Sequence, residues 1–183
     1  MGKRAKKISK REIEFIKEQK MFFVGTAAEE GRINVSPKGM DTFRVMSPNE
    51  VLWLNLTGSG NETAAHVLRN KRMTIMFCSF EGKPLILRLY GTAEVYHERD
   101  EAFQKHIKLF PNIPGIRQIF SLKIDLVQSS CGFGVPEYEY KGQRTLLEEW
   151  AVNKGEDGIK TYWADKNVNS LDNLETAILD SPE

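Results

Sequence analysis

Between residues 20 and 130 the chain is cut into short apolar runs that a helix could not use. They read "FFVGTAA", "RINVSPK", "DTFRVM", "EVLWLNL", "RMTIMFCSF", "LILRLYGTAEVYH" and "FSLKIDLVQSS". Most are rich in β-branched and aromatic residues, and turn signals divide them: Glu30-Gly31, Ser47-Pro48-Asn49 and Glu81-Gly82-Lys83-Pro84. Many short strands with few helices between them predict a small antiparallel barrel. No run is followed by G-x-G-x-x-G and a crossover helix, which argues against a doubly wound dinucleotide-binding sheet.

Helical signals are few. Ser9 to Glu12, "SKRE", is a capping box ahead of Ile13, Ile16 and Met21. Two further helices are expected at about 61–70 and 99–109, the second from the spacing of Ala102, Phe103, His106, Ile107 and Phe110. After residue 130 the character changes. "CGFGVPEYEYKGQR" is rich in Gly and Tyr, "TLLEEWAVNK" reads as a helix, and "GEDGIKTYWADKNVNSLDNLET" reads as irregular. This part is too short to bury its own core and is expected to pack on the barrel or on a second subunit. The expected organisation is a basic arm and helix over 1–20, a barrel over 21–130 and an extension over 131–183.

Composition narrows the function classes. A formal net charge of +1 over 183 residues provides no global field for nucleic acid or membrane. Two cysteines, Cys78 and Cys131, fit a reducing compartment and give neither a disulfide framework nor zinc spacing. No apolar run is long enough to span a bilayer. The start, "MGKRAKKISKRE", lacks the apolar stretch of a signal peptide and reads as a solvated tail. A soluble, cytoplasmic protein is expected.

Four stretches carry candidate chemistry. In "TGSGNET" a glycine turn runs directly into a helix, whose free N–H groups and partial positive charge suit an anion. The glycines would let successive N–H groups point inward as a nest. Ser59, Asn61 and Thr63 add donors, Gly60 permits close approach, and Glu62 either caps the helix or faces a sugar-like hydroxyl. The plain alternative is a capped turn. In "NVSPKG", Ser36 and Lys38 share one face of a strand and Val35 and Pro37 the other. Pro37 has no N–H, which makes this an edge strand or its end. Backbone groups freed there could bond a planar heterocycle, and Lys38 could stand beside a ring oxygen; the alternative is a turn with a surface lysine. Arg88, inside the apolar "LILRLYG", must meet an anion if buried, either a carboxylate or a ligand. In "SSCGFGVP", Ser130, Cys131 and Gly132 end the last clear strand. A nucleophilic thiol would need an oriented base, and none of the three histidines has a motif around it, so close backbone approach to a ligand or partner is the better reading. Trp53, Trp150 and Trp163 are expected in the core or an interface.

Three of these segments occur in one order: "INVSPKG", "LWLNLTGSGNETAAHVLRNKRMTIMF" and "LRLYGTAEV". In that order the chain resembles the FMN-binding split-barrel family related to pyridoxamine 5′-phosphate oxidase, in a subgroup marked by Ser-Pro-Lys-Gly. The resemblance covers roughly 20–130. It implies a mainly β fold, a six-stranded antiparallel split barrel with peripheral helices, a homodimer, and FMN in the cleft between subunits. By that resemblance Asn34, Val35, Ser36, Pro37 and Lys38 would line the flavin ring and ribityl chain. Ser59, Gly60, Asn61, Glu62 and Thr63 would hold the phosphate. Arg88 would approach the same ligand, and Ser130, Cys131 and Gly132 would come from the other subunit. The chain departs from the oxidases in two places. Asn61-Glu62-Thr63 stands where they keep an Arg/Lys pair, and the end, "SLDNLETAILDSPE", is acidic where theirs is basic.

The expected function is therefore an FMN-dependent oxidoreductase acting on a small molecule, with no metal and no nucleic acid. The rival expectations are a deazaflavin or haem in the same fold, or a flavin-binding regulatory protein without turnover.

Overall fold

The structure, a computed structural model, describes residues 2–180. Met1 and the last three residues of the acidic terminus lie outside the described part. The chain runs β1 (Lys3–Ala5), α1 (Lys10–Glu18), β2 (Phe22–Thr26), β3 (Asn34–Lys38), β4 (Phe43–Ser47) and β5 (Glu50–Leu56). Then come α2 (Glu62–Arg69), β6 (Arg72–Cys78), β7 (Ile86–His97), α3 (Glu101–His106), β8 (Ile116–Ser130) and α4 (Leu146–Lys166). A single 3-10 turn, Ile107–Leu109, extends α3.

All strands pair antiparallel in the order β3-β2-β6-β7-β8-β5-β4, with β1 added on β8. The two ends of this order meet through side chains. The Phe22 ring from β2 lies 5.0 Å from the Phe43 ring of β4, and Phe43 lies 5.1 Å from Phe77 of β6. The sheet therefore curls round an apolar centre that includes Val24, Trp53, Ile75, Leu87, Leu89 and Phe120, with α1 and α2 packed against it. That is the split-barrel class the sequence predicts, with eight strands where six were expected.

The additional pairing has a physical reason. β8 bonds β7 along almost its whole length, but β5 covers its other edge only from Ile116 to Lys123. The open edge beyond that is taken by Lys3–Ala5 against Val127–Ser129. The basic arm, expected to be a solvated tail, is instead tied down by backbone pairing while its side chains stay exposed. Where β7 crosses β8 the register shifts at Tyr90/Gly91, and a Cβ on Gly91 would lie 1.9 Å from the Lys123 carbonyl oxygen. Only glycine fits there.

The capping box of α1 forms as read: the Ser9 hydroxyl accepts from the Glu12 N–H, and the Glu12 carboxylate accepts from the Ser9 N–H. β5 is apolar on both faces because Phe103, Phe110 and Ile113 cover its outer side, where they meet Leu52 and Leu54. The stretch expected to be irregular after residue 154 is instead helical to Lys166, with one break at Gly155 (φ 66°). Two glycines and many charges hid the i, i+4 pair Ile159 and Trp163, which is buried with Ala151 and Ile178.

Candidate functional site

One cleft, of about 490 Å³, collects the inner side chains of β3, the end of β5, the glycine turn and the start of α2. β3 lies at the sheet edge, as Pro37 requires, and its alternation decides what enters. Asn34, Ser36 and Lys38 line the cleft; Val35 and Pro37 turn their side chains out to solvent. Asn34 donates through Nδ2 to the Thr63 hydroxyl at 3.2 Å, which joins β3 to the first turn of α2. The Ser36 hydroxyl is buried and without a partner among the described residues.

The glycine turn differs from the nest expected of it. Neither Gly58 nor Gly60 has a positive φ, so left-handed residues do not make the curl. A Cβ on Gly58 would stand in open space, so no contact within the chain requires glycine there, whereas one on Gly60 would lie 3.2 Å from Glu62 Oε1. Asn61 holds the N-cap position of α2 but does not cap it. Its amide accepts from Gln118 Nε2 at 2.7 Å and donates to the Asn167 carbonyl at 3.4 Å. The Ala64 N–H bonds the Asn61 carbonyl at 3.1 Å, and the Glu62 and Thr63 N–H groups are left without an acceptor among the described residues. Glu62 does not occupy the cleft centre with negative charge; its carboxylate accepts from the Leu171 N–H at 3.0 and 3.1 Å. Ser59 is exposed at the rim.

Beneath the turn lies Arg117, 4% exposed. Its Nε and Nη2 donate to Asn55 Oδ1 at 2.9 and 2.8 Å. Its Nη1 donates to the Gly60 carbonyl at 3.0 Å and to Asn167 Oδ1 at 2.8 Å. Every acceptor is neutral, and among the described residues no carboxylate pairs with this guanidinium. Burial lowers its pKa to about 9, which leaves it charged at neutral pH. Lys38 places Nζ 5.1 Å from the centre of the Trp53 ring. Burial, and then the charge of Arg117, lower the Lys38 pKa to about 8. Glu62, an acid in the cleft lining, is taken up by Leu171 and pairs with neither cation, so the floor is electrostatically incomplete and fits an anion.

Reading the residues missed Arg117 and Asn55, though the signal existed. "IRQIF" and "LWLNL" each carry a polar side chain inside an apolar strand, the same anomaly that singled out Arg88. Arg88 itself lies elsewhere. Leu87 and Leu89 point into the barrel, and Arg88 faces outward, where Nη1 donates to the Ser130 hydroxyl at 3.1 Å. Ser130 and Cys131 line a second, larger cleft of about 1090 Å³ with Phe15, Phe80 and Tyr138. Gly132 (φ 66°) packs on the Leu85 backbone, 2.9 Å from its nitrogen to a would-be Cβ. A single chain thus brings Asn34, Ser36, Lys38, Ser59, Gly60, Asn61, Glu62 and Thr63 together around one cleft, turns the Val35 and Pro37 side chains away from it, and keeps Arg88, Ser130, Cys131 and Gly132 apart.

The histidines take no part in a catalytic cluster. His66 is buried against the Thr26 hydroxyl at 3.1 Å, and His106 stacks on Tyr96. No cluster of acidic, thiol or imidazole groups suited to a metal occurs among the described residues, and none of their helices is long and apolar enough to cross a membrane.

Comparison with known proteins agrees with this fold. The family model described as pyridoxamine 5′-phosphate oxidase matches residues 8–131. An Aspergillus flavus protein, described as pyridoxamine 5′-phosphate oxidase family protein ustO, is 36% identical over 186 residues, which cover 90% of this chain and 75% of that protein. Among solved structures, a Lactobacillus delbrueckii protein provisionally named a pyridoxamine 5′-phosphate oxidase superposes with a TM-score of 0.55 at 22% identity, covering 67% of this chain and 94% of that one. HupZ from Group A Streptococcus superposes with a TM-score of 0.51 at 20% identity, covering 65% and 91%. At those identities the structural likeness is one of fold.

Proposed function

Because the chain belongs to the pyridoxamine 5′-phosphate oxidase family, we propose that its cleft takes FMN by the phosphate and that the protein is an FMN-dependent oxidoreductase. The observation that carries this reading is the pair of buried cations, Arg117 and Lys38, beside a helix start without a side-chain cap, with no carboxylate among the described residues paired to either cation. A phosphate monoester brings about two negative charges at neutral pH, the complement of that floor. The cleft volume of about 490 Å³ suits a cofactor of this class.

The side chains divide the work. Ser59 and the Glu62 and Thr63 N–H groups would hold the phosphate oxygens, with Arg117 beneath them and Thr63 held in place by Asn34. The free Ser36 hydroxyl would meet the ribityl chain further along β3, and Lys38, near enough to Arg117 to feel its charge, would share the phosphate's charge with it. Bound FMN would supply the hydride and electron chemistry that side chains lack. The protein contributes orientation and charge, and no acid/base pair is required of it.

Arg88 and Ser130 to Gly132 enter the reading through a second copy of the chain. A homodimer would bring the outer face of one barrel, with Arg88 on it, against the open side of a partner's cleft. The substrate is a small molecule, and the acidic stretch "SLDNLETAILDSPE", where the oxidases carry a basic segment for the substrate's phosphate, points away from a second phosphate ester.

The test is the colour of the protein. Purified after incubation with FMN and desalted, it should carry flavin absorbance, release FMN on heating, and bleach with NADH or NADPH. A protein that emerges colourless refutes cofactor binding. One that stays yellow and is never reduced is a flavin carrier.

A further inference from the structure

We propose that Asn167, from the segment beyond the family-matched core, is the positioning residue of the phosphate cleft. It orients Arg117 through a neutral oxygen and so leaves the arginine's charge available to a ligand phosphate. The inference rests on the FMN reading for its ligand and on the geometry for the residue.

Asn167 is wholly buried at the C-terminal end of α4, where its N–H bonds the Trp163 carbonyl, and its other polar groups reach four partners. Oδ1 accepts from Arg117 Nη1 at 2.8 Å, and Nδ2 donates to the Gly58 carbonyl at 3.2 Å. Its backbone carbonyl accepts from the Thr176 hydroxyl at 2.6 Å and from Asn61 Nδ2 at 3.4 Å. One residue thereby fixes the arginine under the turn, the turn's first glycine and the N-cap of α2. The family match ends at residue 131, so this residue is an addition to the shared barrel.

Its placement is built rather than incidental. On one side Trp163 donates through Nε1 to the Thr57 hydroxyl at 2.8 Å, which docks α4 on the end of β5. On the other a small hairpin, bridged at Asn169 and Glu175, spans the cleft mouth. Leu171 bonds Glu62 on one rim, and Asp172 pairs with Arg32 on the other.

The choice of an amide is the informative part. A buried arginine is ordinarily satisfied by a carboxylate, which orients it and cancels its charge together. An amide oxygen gives the same direction without the cancellation. Asn55 makes the same choice on the other edge of the guanidinium.

The experiment compares wild type with Asn167→Asp and Asn167→Ser. Each is titrated with FMN and with riboflavin, which lacks the phosphate, and tested for thermal protection by inorganic pyrophosphate. Asn167→Asp pairs Arg117 internally. It should weaken FMN about tenfold or more, leave riboflavin affinity unchanged and abolish the pyrophosphate protection. Asn167→Ser is too short to reach Arg117, and it should weaken FMN by about threefold or more with riboflavin again unchanged. The second variant decides the matter if the first does not fold, since an Asp oxygen would face the Gly58 carbonyl. A folded variant that binds FMN as wild type does, or that loses FMN and riboflavin by the same factor, overturns the proposal. Wild type that is protected by pyrophosphate yet ignores FMN overturns the FMN reading and leaves the role of Asn167 to be read from the pyrophosphate arm. Wild type that responds to neither overturns both.

Discussion

Lys38 shows how far one residue's surroundings set its chemistry. On an exposed strand edge a lysine stays charged well past physiological pH; here burial and the neighbouring Arg117 bring its pKa from 10.5 to about 8. The folded state therefore disfavours the charged form. Below pH 8 both folded and unfolded chains hold the proton, and the full penalty is present. Between about 8 and 10.5 the unfolded chain binds the proton and the folded chain has lost it, so this group's contribution to stability rises with pH. Denaturant unfolding of wild type and Lys38→Met at pH 7.5 and 9.5 isolates the effect: the wild-type deficit should shrink at the higher pH. Anion affinity should move the other way. The ligand phosphate gains its second charge near pH 6, Lys38 loses its own near 8 and Arg117 near 9, so FMN binding should be tightest between about 6 and 8 and fall above that. An affinity flat from pH 7 to 9.5 would remove both cations from the site.

At the scale of elements, β8 organises the molecule. It bonds β7 along one edge and both β5 and β1 along the other, and it delivers Arg117 under the glycine turn near one end and Ser130 beside Arg88 at the other. Its close contact with β7 depends on Gly91. Gly91→Ala should destabilise the fold by about 3 kcal/mol or more, because its Cβ would meet backbone at Lys123 that cannot step aside. A thermal melt within a degree or two of wild type would show that the crossing relaxes freely. The elements were the most legible part of the sequence. Alternation in "NVSPK" indicated which side chains face the cleft, and Pro37 indicated the edge. β1 was not legible, because backbone pairing on a bare strand edge leaves no apolar pattern in "KRA". The second half of α4 was hidden because Gly155 interrupts its periodicity.

At the scale of the whole molecule, the site is assembled from parts distant in sequence. Asn34 and Thr63 are bonded across 29 positions, Arg117 and Asn55 across 62, and Asn61 and Asn167 across 106. Local motifs could place β3 and the glycine turn on one cleft, but not the strand that passes beneath or the extension that closes behind. The larger cleft beside Ser130 and Cys131 belongs to a different face, and its role in the proposed dimer follows only if a second chain meets it. The central claim is that an unneutralised pair of cations makes this cleft a phosphate site. Equilibrium titration of the cofactor-free protein with FMN and with riboflavin tests it most directly, because the two ligands differ only in the phosphate. Two charge-assisted contacts predict FMN binding about 100-fold tighter or more; equal affinities for the two would contradict the account.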